Sequence, residues 1–217
     1  MVVAANGSSD LIYLPGKNAA LAKRVIEFLL TQDYVSGLFV DDDLGAFAGT
    51  LPLSAINLRG AAVTPRPAIV VNFRSFSTGC EEPVLCAATV ADTTLQQGQG
   101  MHGSLSRADT MNFMALAGPD FKKRFVDDRP VSNADLGRTI FQVLGLQPTK
   151  RGSLSGRVMT EALADGVAPA SSSKVLKAPS ALGPIQTVLM YQVVGETKYF
   201  DIAGSIGRTL GLERDPE

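Results

Sequence analysis

Residues 10–40 read DLIYLPGKNAALAKRVIEFLLTQDYVSGLFV, and their periodicities decide the fold class. Leu11–Leu14 is apolar and β-favouring, and Pro15-Gly16 ends it, so it reads as a strand. Asn18 is an N-cap residue for a helix over about Ala19–Thr31. Leu21, Val25 and Leu29 recur along one face of that helix, with Ala22, Ile26 and Leu30 beside them. Val35–Val40 then reads as a second strand, interrupted at Gly37. Strand, helix and strand in succession make a βαβ or split βαβ unit, and the fold class is α/β. This is a scaffold signal and specifies no chemistry.

Outward from this unit, residues 41–67 are punctuated by Gly and Pro and read as irregular, with one or two short strands. Ala68–Arg74 begins with a continuous apolar run, the pattern of a strand buried on both faces. Residues 75–106 read mostly as loop, and connections of that length tend to be functional. Asn112–Ala117 is expected as a strand, stopped by Gly118-Pro119. Ser132 or Asn133 caps a helix over about Ala134–Leu144, with Leu136, Ile140 and Val143 or Leu144 facing inward and Gly145 ending it. A short helix is expected at Val158–Leu163, within Gly152–Gly166. Residues 165–183 have the composition of a surface linker. Ile185–Val194 and Thr197–Ala203 form a hairpin turning at Gly195-Glu196. The organisation expected is an α/β domain over residues 1–164, a linker over 165–183, and a hairpin over 184–217 packed on the same domain. No internal repeat is visible.

The chain has 217 residues, 45% apolar and 19% charged, enough apolar surface to bury a core. Its net charge of −1 and scattered basic residues give no nucleic-acid or acidic-membrane signature. The longest basic run, Lys122-Lys123-Arg124, reads as a solvated turn. No stretch reaches the roughly 20 apolar residues that span a bilayer, and residues 1–7 (MVVAANG) have neither the basic region nor the apolar run of a secretory signal. They read instead as the interior of a domain, which suggests truncation.

The single histidine, His102, lies among Gly98, Gly100 and Gly103, whose backbones can approach a metal or ligand closely. One imidazole does not define a zinc site, and a surface histidine in a loop is the plainer reading. Asp41-Asp42-Asp43 reads as a solvated turn or helix cap, and Asp127-Asp128 as turn chemistry before Pro130. There is no P-loop, no G-x-S-x-G, no Cys–His pair and no H-E-x-x-H. Cys80 and Cys86 are six positions apart around a proline, and the residues alone allow either a small disulfide loop or two reduced thiols.

Met101–Ser104 (MHGS), Ser106–Thr110 (SRADT), Asn112–Met114 (NFM), Gly118–Lys122 (GPDFK), Pro130–Asp135 (PVSNAD) and Val143–Leu146 (VLGL) follow one another in a distinctive order. Together they resemble the last third of bacterial phosphodiesterase and nucleotide pyrophosphatase-like members of the alkaline phosphatase superfamily. Asp10–Pro15, Asp33–Asp42, Gly49–Ile56 and Asn72–Cys80 resemble one extracytoplasmic subgroup, so the likeness covers nearly the whole chain. The resemblance implies a part of an alkaline-phosphatase-like sheet-and-helix domain, a Cys80–Cys86 disulfide, and periplasmic or secreted complete members. It also implies a centre of two zinc ions that clamps the attacking and leaving oxygens of a phosphate ester, with a Ser or Thr nucleophile. His102 matches the last zinc ligand in chain order, and Asp109 or Asn112 is expected to orient its loop without touching the metal.

The nucleophile, an early aspartate, a D-x-x-x-H pair and a D-H pair would all lie upstream. This chain therefore carries no catalytic residue of its own, and at most part of the zinc site. The expected function is that of the C-terminal segment of a zinc-dependent phosphatase or phosphodiesterase. It would be inactive alone and would pair with the missing N-terminal half. The alternatives are a non-enzymatic truncated remnant and a protein-interaction module. An apolar sheet edge, covered in the complete domain, is expected to be exposed.

Overall fold

The computed structural model describes residues 1–60, 64–96, 99–147, 155–181, 183 and 185–214. Strands β1 (Val2–Ala5), β2 (Ser9–Tyr13), β3 (Val35–Val40), β4 (Thr50–Pro52) and β5 (Ile69–Phe73) form one sheet in the order β1-β2-β5-β3-β4. Helix α1 (Ala19–Leu29) connects β2 to β3. Both of those strands run antiparallel to β5, which lies between them, so the unit is a split βαβ. The Asn18 side chain accepts from the Leu21 amide at 2.9 Å and starts α1. Ala22, Ile26 and Leu29 are the buried face of α1, packed in one cluster with Ile12, Val35, Leu38, Ile69, Val71 and Phe73. Every residue of β3 and β5 is buried, as their apolar runs require.

Gly37 has a packing reason within β3. A Cβ there would meet the Gly204 Cα at 3.2 Å and the Thr187 methyl at 3.3 Å, so a larger residue would push neighbouring backbone away. The pairing of β3 with β5 shifts register between Val35 and Gly37. Ser36 at this bulge donates toward the Asn72 and Phe73 carbonyls, at 3.2 and 3.0 Å.

Residues 75–106 are less irregular than their composition suggests. β6 (Ser75–Ser77) pairs antiparallel with β7 (Ala87–Thr89), and a disulfide joins Cys80 to Cys86 in the connection. A four-residue helix, α2 (Arg107–Thr110), follows the loop. Residues 112–117 form no strand, which corrects the expectation from their apolar content. Phe113 there is 93% exposed, so the side chains that suggested a strand are not buried as a strand's would be.

Helix α3 (Asn133–Val143) opens with a capping box between Ser132 and Asp135. Its inward face is not the apolar stripe. Leu136, Ile140 and Leu144 are exposed, whereas Asp135 and Thr139 are buried. The helix expected at Val158–Leu163 is a single 3-10 turn, Thr160–Ala162, and residues 152–154 before it lie outside the described residues. The stretch expected as a linker, 165–183, contains β8 (Ser171–Lys177). It joins β9 (Val188–Val194) and β10 (Thr197–Gly204) in a sheet ordered β10-β9-β8, and the turn at Gly195-Glu196 is as expected.

The chain divides into two compact units. The first comprises Met1–Met111, Val175–Met190 and Phe200–Glu217, and the second Asn112–Lys174 and Tyr191–Tyr199. One boundary, between Lys174 and Val175, falls within 165–183; the others follow Met111 and lie inside β9 and β10. Among the described residues, no helix is long and apolar enough to cross a membrane.

The second unit is held by a buried polar network. The Asp135 carboxylate accepts from the Ser132 amide, the Arg157 amide and the Tyr199 hydroxyl, each at 2.8 Å. The Arg157 guanidinium donates to both oxygens of Glu161, and its Nε donates to the Tyr199 hydroxyl at 2.7 Å. Burial pushes the Glu161 carboxyl upward, but the hydrogen bonds and charge of Arg157 outweigh it and hold the group below its ordinary value. Burial, then the bond to Asp135, raises the Tyr199 hydroxyl well above its ordinary value. Glu161→Ala leaves a guanidinium only 11% exposed without its counter-charge. That substitution is expected to destabilise the unit by about 3 kcal/mol, read from the urea midpoint.

Candidate functional site

The loop carrying His102 is fixed from the core outward. Asn72 sits in β5 among apolar neighbours and is 1% exposed, so its amide must find partners inside. Its nitrogen donates to the Ser36 hydroxyl at 2.8 Å and to the Ala203 carbonyl at 3.2 Å. Its oxygen accepts from the Leu105 amide at 2.9 Å. The Leu105 carbonyl in turn accepts from the Ala203 amide at 2.7 Å. One residue of the loop is thus bonded on both sides, to β5 and β10.

Shorter-range bonds shape the rest of the loop. Asp109 accepts from the Ser104 amide at 2.7 Å, and the Ser104 and Ser106 hydroxyls bond each other at 2.8 Å. Arg107 forms a two-pronged ion pair with Asp201, Nε to Oδ1 at 3.0 Å and Nη2 to Oδ2 at 2.8 Å. The bond to Asp201, opposed by burial, raises the Arg107 pKa further. The backbone on either side of His102 lies against the turn between β1 and β2. A Cβ on Gly7 would sit 2.6 Å from the His102 carbonyl oxygen, and one on Gly103 would sit 2.2 Å from the Asn6 carbonyl oxygen. Gly103 has φ +122°, where other residues are strained. The glycine therefore serves a backbone-to-backbone approach, where the sequence suggested approach to a ligand. Gly100 meets nothing within 4 Å, and Gly98 lies outside the described residues.

The His102 side chain is exposed. Of the two residues expected to orient the loop, Asp109 bonds it through Ser104, whereas Asn112 is exposed and is the first residue of the second unit. Among the described residues, no three His, Cys, Asp or Glu side chains converge as metal ligands. No local pattern marks Asn72 for the role of holding the loop. Its signal was a lone amide inside the apolar run Ile69–Phe73.

The carboxyl end of β3 carries the acidic triplet, and its charges are matched locally. Asp41 accepts from the Asp43 amide at 3.2 Å as a cap, and Asp42 accepts from the Ser54 amide and hydroxyl. Asp43 pairs with Lys17, Arg59 and Arg66. A cavity of about 250 Å³ lies beside the triplet, lined by Leu14, Lys17, Asp41, Leu44, Arg66 and Ala68 among others. The expectation of a cap and turn holds, with ion pairs added.

Compared with protein-family models, with curated proteins and with solved structures, the chain matches none.

Asn72→Ala is expected to strand the Leu105 amide and to cost about 1–3 kcal/mol. Hydrogen exchange at Leu105 should then accelerate by more than at the amides of α1. The acidic triplet gives a pH dependence. Asp43 is held below the ordinary value of 3.8 by its bond from Lys17 and by the Arg59 charge. Burial pushes Asp42 up, but the Ser54 bonds outweigh it, and it too lies below 3.8. A carboxyl depressed by folding stabilises the chain above its unfolded value and loses that contribution as pH falls through the folded one. The urea midpoint should therefore drop between pH 5 and pH 3, and Lys17→Ala should move the Asp43 titration, followed by NMR, back toward 3.8.

Proposed function

We propose that this chain is the C-terminal segment of a zinc-dependent phosphoric ester hydrolase, a phosphatase or phosphodiesterase. In this reading His102 supplies one zinc ligand, and the nucleophile and remaining ligands reside on polypeptide outside these 217 residues. The carrying observation is the build of the 101–110 loop. Its main chain is tied to β5, β10 and the β1–β2 turn, while the imidazole stays exposed. A histidine that must meet ligands arriving from elsewhere needs a rigid base and an open ring. The order of motifs from Met101 to Leu146 adds the resemblance to the alkaline phosphatase superfamily.

A catalytic zinc takes three protein ligands, and the residues of this chain fit one such position. In the complete centre, two zinc ions would supply Lewis acidity and charge neutralisation to the phosphoryl group. This chain's contribution is positional, holding the imidazole through Ser104, Leu105 and Asp109. The disulfide between Cys80 and Cys86 supports an oxidising compartment, periplasmic or extracellular.

A second reading, an interaction module without catalysis, is favoured by the exposed stripe Leu136, Ile140 and Leu144. Co-expression with a polypeptide carrying the D-x-x-x-H and D-H pairs separates the two. Under the hydrolase reading, the chain alone turns over neither p-nitrophenyl phosphate nor bis(p-nitrophenyl) phosphate. The combination hydrolyses at least one, chelator abolishes it, and His102→Ala lowers the rate more than about 100-fold, beyond outer-shell losses of 10–100-fold. Turnover that ignores both the chelator and the histidine substitution overturns it.

A further inference from the structure

β1 ends the five-stranded sheet, so among the described residues its outer edge presents backbone N–H and C=O groups to no further strand. Natural edge strands are usually guarded by lysine, proline or a bulge. The sequence of β1, Val-Val-Ala-Ala, has none of these, and Val2 and Val3 are 63% and 47% exposed. Beside this edge, on the face where α1 packs, lies a mainly apolar groove of about 360 Å³. Its walls include Met1, Val3 from β1, Ile12 from β2, and Val25 and Phe28 from α1. Such a volume lies within the range of binding clefts.

The groove contains one polar misfit. Asp10 lines it, and its Oδ1 is buried and accepts no hydrogen bond. Arg24 lines the same groove without forming an ion pair to Asp10. Burial, and then the charge of Asp92, holds the Asp10 carboxyl above its ordinary value, and among the described residues no cation is paired with it. In the register of the sheet, Asp10 lies opposite Ala5, and directly paired residues share a face. Ala5 is too short to block the way from beyond β1 to the carboxylate.

We propose that the edge of β1 and its groove accept an extended polypeptide strand that carries a basic side chain over Ala5 to Asp10. Strand addition gives the open backbone groups their partners, and alternate side chains of the incoming strand fill the apolar groove. That strand lies two strand spacings, about 9.6 Å, from β2. The Asp10 side chain and a lysine or arginine stem together span this distance. A second copy of this chain is a poorer occupant, because a β1 strand from it brings no basic side chain to Asp10. A small apolar ligand leaves the strand edge bare. The inference uses neither His102 nor a metal, so its test is separate from the zinc chemistry of the hydrolase reading, under which the missing half would be one source of such a strand.

The test uses the intact chain and a labelled, water-soluble heptapeptide alternating valine and threonine, with lysine at the central groove-facing position. Its partner probe has norleucine in place of lysine. Binding is followed by fluorescence anisotropy and by shifts of the β1 amides in NMR. The lysine peptide is expected to shift those amides and to bind about 10-fold tighter than the norleucine peptide, the size of one charge-assisted hydrogen bond. Asp10→Asn should abolish the difference while the β1 shifts remain. Ala5→Leu, which closes the path and leaves Asp10 intact, should abolish it as well, and this variant decides the matter if Asp10→Asn does not fold. Failure of both peptides to bind at β1 overturns the proposal, as does equal affinity for the two or a lysine preference that survives Ala5→Leu. So does concentration-dependent dimerisation through β1, which would make a second copy the occupant.

Discussion

Asn72 imposes the constraint on which the first unit depends. A primary amide in the middle of a buried strand has two donors and an acceptor to satisfy, and water does not reach it. The Ser36 bulge, the Leu105 amide and the Ala203 carbonyl satisfy it. Each of these lies far from Asn72 in sequence, so one side chain ties together β3, β10 and the loop before α2. An unsatisfied buried polar group costs about 1–3 kcal/mol, which makes this arrangement of the loop the favoured one. The position of His102 is therefore a consequence of core chemistry as much as of loop sequence.

The same division between fixed main chain and free side chain recurs around His102. Gly7 and Gly103 allow carbonyl oxygens closer than a side chain would permit, so two turns lock together without covering the imidazole. Rigid support with an open ring is an arrangement suited to a ligand that completes a site built elsewhere. The edge of β1 has a similar character. It is well formed on one side, through β2, and unguarded on the other. In both places, the groups left open are ones that a partner polypeptide can engage.

The second unit is organised on a different principle. Its centre is polar, with Asp135, Arg157, Glu161 and Tyr199 bonded to one another. A network of this kind favours one geometry because each member left unpaired in the interior would be costly. Satisfying Asp135 draws its side of α3 inward. The stripe of Leu136, Ile140 and Leu144, on another side of the helix, is left toward solvent.

The sequence by itself determined the α/β class, the split βαβ unit, the N-cap of α1, the buried strand β5 and the terminal hairpin. These follow from local rules, namely periodicity, turn residues and caps, which act within a few residues of one another. It also marked His102 as the one imidazole available. Only the tertiary structure decided which face of α3 is buried, that residues 112–117 stay out of the sheets, and that part of 165–183 is the strand β8. Helical periodicity identifies an amphipathic segment but is silent on what covers it, and a strand exists only where another strand offers hydrogen bonds. The hold on the His102 loop was illegible for the same reason. Asn72 and Leu105 are 33 positions apart, and no local pattern records a bond that the packing of other elements brings into reach.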